Sequence, residues 1–115
     1  RPGEMPKPEQ NRVRLYGRLE DIRQRWTPDG KLAVIAALTI PRPKLGASRA
    51  RIQEEQPIPL RATGEQAEAL QKHQHQLVSI EGCLRRRYYN REGEPHWGQV
   101  EVWVDLCRPE TIEET

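Results

Sequence analysis

From Asn11 onward the chain alternates. Val13, Leu15, Gly17 and Leu19 share one parity, and Arg12, Arg14, Tyr16 and Arg18 take the other, the period-two pattern of a strand with one buried face. Residues 22–26 and 31–40 read as the arms of a hairpin. Between them Thr27-Pro28-Asp29-Gly30 places Pro and Gly at the second and fourth positions of a turn. Pro41-Arg42-Pro43 closes the second strand, and the stretch to Gln56 has no period, with Gly46, Ala47 and Ser48 near its middle. A long, basic, mobile loop is predicted there. Ile58, Leu60 and Ala62 then mark a short strand. Pro57 and Pro59 lack amide donors, which places it at an edge or beside a discontinuity in the sheet.

Thr63-Gly64-Glu65-Gln66 fits a capping box, with Thr63 as N-cap and Gln66 reaching back. The short helix it opens carries Ala67 and Leu70 as an apolar stripe, acids in its first turn, and Lys72 and His73 in its last. Val78, Ile80, Gly82 and Leu84 alternate with Ser79, Glu81, Cys83 and Arg85 as a fourth strand. Asn90–Glu94 is turn-rich, and Val100, Val102, Val104 and Leu106 alternate with Glu101, Trp103, Asp105 and Cys107 as a fifth. An all-β chain with one short helix between the third and fourth of five strands has the order of the OB-fold, a partly open five-stranded barrel. The domain reading is a flexible N-terminal arm over 1–10, the OB-fold domain over 11–108 and a short acidic tail over 109–115. Arg1 is not an initiator Met, which suggests a trimmed or excerpted chain.

Composition narrows the function classes. The longest apolar run, Leu32 to Leu38, is far short of the roughly 20 residues of a spanning helix. No secretory h-region precedes it, so the chain reads as cytoplasmic. Cys83 and Cys107, with three histidines, offer no four-ligand spacing and too few thiols for a disulfide framework. Neither metal nor other cofactor is indicated. His73-x-His75 lacks the i, i+4 spacing that puts two imidazoles on one helix face, no Gly-rich phosphate loop appears, and no enzymatic activity is expected.

The net charge of +2 conceals an asymmetry, because residues 1–51 carry 12 basic and 5 acidic side chains and residues 52–115 carry 7 and 12. Arg42, Lys44, Arg49 and Arg51 lie in the loop with no acid among them, and Arg85-Arg86-Arg87 is followed by Arg91. Such clusters suit an anionic partner, or are solvated faces. Phe is absent, which leaves six aromatics. Arg85, Arg87 and Tyr89 share the outward parity of the fourth strand; Trp97 and Trp103 share that of the fifth. Two adjacent strands would thus present Tyr89, Trp97 and Trp103 beside the arginines, as single-stranded nucleic acid requires. Trp103 reads either as a base platform or as a subunit contact, Trp26 as packing in preference to base stacking, and Arg12, Arg14 and Arg18 as an extension of the same surface or as solubilising charge.

Three segments carry a resemblance. Asn11-Arg12-Val13-Arg14-Leu15-Tyr16-Gly17-Arg18-Leu19, Arg25-Trp26-Thr27-Pro28-Asp29-Gly30, and Val78-Ser79-Ile80-Glu81-Gly82-Cys83-Leu84-Arg85-Arg86-Arg87-Tyr88-Tyr89 resemble, in order, segments of the bacterial single-stranded DNA-binding protein family, including its small primosomal replication protein B-like members. The resemblance spans about residues 11–107. It implies a nucleoid-associated binder of single-stranded DNA with little sequence preference, acting in replication, restart, repair or recombination. It also implies a dimer or tetramer, with replication or primosome proteins as partners. Tyr89 falls where the family stacks a base, and Arg85 and Arg87 where it holds phosphates. Two features depart from the replicative members: no aromatic lies between Arg42 and Ala62, and no acidic Phe-ended tail is present. Gln53–Leu70 is more similar to the primosomal type. An OB-fold module that docks a protein through its exposed aromatics and a single-stranded RNA binder are the alternative functions.

Overall fold

Every alternating segment forms a strand, and the chain order is β1 (Val13–Trp26), β2 (Leu32–Pro41), β3 (Glu55–Thr63), α1 (Gly64–Lys72), β4 (Leu77–Arg91) and β5 (Glu94–Pro109). The computed structural model describes residues 6–46 and 53–110. The strands close into a barrel in the order β1-β2-β3-β5-β4, antiparallel except between β3 and β5. With its one helix between β3 and β4, this is the OB-fold arrangement.

Closure depends on the length of β1. Its first half pairs with β4, from Val13 against Gly82 to Arg18 against Leu77; its second half pairs with β2, from Arg18 against Thr39 to Trp26 against Leu32. The register slips between Glu20 and Arg23, where Asp21 takes φ 55°. Such a bulge bends and twists a strand enough for it to serve two neighbours. Asn11 ends the β1–β4 ladder with its side chain, donating to the Leu84 carbonyl at 2.8 Å and accepting from the Leu84 amide at 2.7 Å. β3 pairs with β2 over its whole length but with β5 only at Leu60 and Arg61. The sheet discontinuity therefore lies beside Pro57 and Pro59, as their missing donors predict.

The inward parity fills the barrel with Leu19, Val34, Leu38, Leu60, Val78, Ile80 and Val102, and α1 lays Ala67 and Leu70 onto the same core. Gly82 permits the closest approach, since a Cβ there would collide with the Trp103 carbonyl. The capping box does not form. Thr63 is still extended as the last residue of β3 and makes no side-chain cap, and the Gln66 Oε1 accepts from the Cys107 amide at 3.0 Å instead. Tertiary pairing took the acceptor that the local motif needed.

Two bulges in β5 alter its predicted faces. One slips the register between Glu81 and Gly82, leaving Asp105 as the extra residue. Cys107, expected outward, is thereby turned into the core opposite Ile80, and Leu106 faces out. Burial pushes the Cys107 thiol up to about 11. A raised thiol pKa leaves stability intact below the ordinary value of about 9 and erodes it above, as the unfolded chain ionises first. By pH 10.5 the loss should reach about 2 kcal/mol. Urea denaturation at pH 8 and 10.5 checks this, since Cys107→Ala should lack that part of the decline.

The fifth strand begins earlier than predicted. Residues 84–91 and 94–101 extend beyond the β1 ladder as a two-stranded ribbon. It turns in two residues at Glu92 and Gly93, both with positive φ, the requirement of a tight hairpin of right-handed twist. Arg42 fastens the other long connection at its base, its amide donating to the Glu54 carbonyl at 2.8 Å and its guanidinium to the Gln53 carbonyl at 2.9 Å.

Candidate nucleic-acid interface

The outward parities of five strand segments join into one curved surface. Register places Arg23 beside Ile35, Ile35 beside Arg61, Arg61 beside Trp103, and Trp103 beside Cys83. One step along, Glu101 stands opposite Arg85. Small and ring-closed residues keep part of this surface low. Ala37, Pro57 and Pro59 floor an open groove of about 380 Å³, with Ile35 and Gln99 also lining it and Asp21, Arg23 and Arg25 along its β1 side.

Cations and aromatics alternate on the β4–β5 side. The Arg85 guanidinium lies 4.8 Å from the Trp103 ring centre, and Arg87 lies 5.8 Å from that of Tyr89. Tyr89 sits 5.9 Å from the His96 ring. Arg61 is the exception among the cations. Its Nε donates to the buried Glu101 carboxylate at 3.0 Å, so its charge is satisfied within the protein while its aliphatic stem supports Trp103's side of the sheet.

The structure thus brings Arg85, Arg87, Tyr89 and Trp103 together on one face, as the strand parity of β4 predicts. It does not bring Trp97 there. The register slips again between Arg86 and Tyr88, where residues 98 and 99 of β5 oppose Arg87 alone. This bulge reverses the parity between Trp103 and Trp97. Trp97 stands with Tyr88 and Arg86 on the opposite face of the ribbon, its ring 4.9 Å from Tyr88. Trp26, expected to pack, is exposed at the end of β1.

The remaining candidates separate by position. Arg91 is exposed at the ribbon tip, opposite Glu94. Arg14 lies on the outer face of β1 beside Glu81, whose carboxylate is 3.9 Å from Arg14 and 4.0 Å from Arg108. Arg42 is committed to the base of its loop, Lys44 is exposed, and Arg49 and Arg51 lie outside the described residues. Sequence reading missed Arg23 and Arg25. Their signal was present as two arginines two apart, alternating with Ile22, Gln24 and Trp26, but only the closed barrel carries them round to the groove. Among the described residues no group of His, Cys, Asp and Glu is placed to hold a metal ion, and no helix is long and apolar enough to cross a membrane. The chain matches no protein-family model and no curated protein.

Proposed function

We propose that this chain binds single-stranded DNA with low sequence specificity, through the outer surface that runs from the β1–β3 groove to the β4–β5 ribbon. The observation that carries the reading is the continuity of Arg23 and Arg25, the groove, Trp103 with Arg85, and Tyr89 with Arg87 on one face. Strand faces two and three and the flanking loops are where OB-folds take oligonucleotides. Cations along a track hold phosphates, and rings beside them stack bases of any sequence. The resemblance to bacterial single-stranded DNA-binding proteins, including the primosomal type, supports the same reading and adds a role in replication, restart, repair or recombination. It also adds assembly into a dimer or tetramer, with replication or primosome proteins as partners.

Tryptophan fluorescence during titration with oligo-dT tests this directly. Three to five phosphate contacts should make log K fall against log salt with a slope of about −2 to −3.5. Absence of binding at low salt, or binding indifferent to salt, overturns the reading. Oligo-rU in parallel decides the sugar, because only contacts to the 2′-hydroxyl discriminate.

A further inference from the structure

The ribbon has a second face. On it Leu84, Tyr88, Trp97 and Val100 are 49, 62, 60 and 50% exposed. They continue the parity that lines the core lower in β4 and β5, so the apolar inner surface of the barrel runs on here without cover among the described residues. Arg86 stands in their midst. Its Nε donates to the Gly98 carbonyl at 2.7 Å and its guanidinium lies 5.6 Å from the Trp97 ring centre, while no described carboxylate forms an ion pair with it.

Charge selects what covers this face. Within the ribbon β4 carries Arg85, Arg86, Arg87 and Arg91 and no acid, whereas β5 from Glu94 to Glu101 has no Lys or Arg and holds Glu94, its Glu101 being already paired with Arg61. Because the β1 ladder ends at Val13 and Gly82, no strand among the described residues pairs with the basic edge of β4 from Arg85 to the tip. An anionic chain is drawn to that edge and away from the other. A two-fold pairing of the face with itself, by contrast, would bring two Arg86 cations together in an apolar contact without a counter-charge.

We infer that a single strand held on the outer face crosses the free β4 edge and continues onto this second face, where Tyr88 and Trp97 take a base and Arg86 an adjoining phosphate. This rests on the single-strand reading above and deepens it. The ribbon is wrapped by its ligand, and the ligand must be long enough to round it. Short oligonucleotides then fill the outer face alone, and only longer ones reach Trp97.

The test uses two single-tryptophan proteins. Trp26→Phe with Trp103→Phe leaves Trp97 as the reporter, and Trp26→Phe with Trp97→Phe leaves Trp103. Each is saturated with oligo-dT of increasing length. Trp103 should respond at every length and Trp97 only beyond a threshold. In the otherwise native chain, Tyr88→Ala and Arg86→Gln should weaken binding of long oligonucleotides by about 5- to 100-fold and leave short ones unchanged. Response of Trp103 with silence of Trp97 at all lengths overturns the wrapping while the outer-face reading stands. Silence of both overturns that reading. A Trp97 signal that changes with protein concentration in the absence of DNA overturns the wrapping in favour of a second copy on this face.

Discussion

Replacement of both Arg85 and Trp103 by alanine is expected to weaken oligo-dT binding by about 30- to 1,000-fold. The indole supplies one base stack, which contributes about 1–3 kcal/mol, and the guanidinium supplies one charge-assisted phosphate contact. The two are coupled. Arg85 lies 4.8 Å from the ring centre, so loss of either group is expected to disturb the other's contact. The double variant should also flatten the salt slope by about 0.7, the share of one single-strand phosphate. Arg85 is exposed and Trp103 half-buried, so a thermal melt of the double variant is read alongside the titration, and it separates a binding loss from a folding loss. Arg91→Ala, at the ribbon tip, should have a much smaller effect. Unchanged affinity in the double variant would remove the β4–β5 face from the interface.

Glu101→Ala should lower stability by about 3 kcal/mol, read as a lower urea midpoint at constant slope. Glu101 is the one charged residue buried among the described residues, and its carboxylate is joined to Arg61 at 3.0 Å. Its removal leaves a largely buried guanidinium without a partner, beside Trp103. Arg61→Met combined with Glu101→Leu should recover most of the loss, because replacing both members of a buried pair by apolar groups of similar volume avoids the unpaired charge. If the double replacement is no better than Glu101→Ala, the cost lies in packing at the β3–β5 seam and not in the charge.

Arg61 and Glu101 also show where sequence legibility stops. Both read as ordinary outward polar positions of alternating strands, 40 residues apart. Their pairing exists because β3 meets β5 in parallel at Leu60 and Arg61 alone, a contact that no local pattern records. The same distinction separates the aromatics. Tyr89 and Arg87 were placed correctly by counting in twos along β4, since no extra residue interrupts that strand. Trp97 was not, because residues 98 and 99 bulge and one extra residue inverts every side chain beyond it. Cys107 was misplaced by the bulge at Asp105 for the same reason, and Gln66 was drawn from its expected cap by an amide 41 residues away.

The sequence by itself determined the five strands, the helix between the third and fourth, the Thr27–Gly30 turn, and the arginine stripe of β4. Each of these depends on interactions within a few residues: burial of alternate positions, turn chemistry, and helix charge. Only the tertiary structure decided which strands are neighbours, which way β5 faces on either side of its bulges, and that Arg23 and Arg25 share a surface with Trp103. Those depend on register and closure, in which a shift of one residue costs little in local propensity and reverses a whole face.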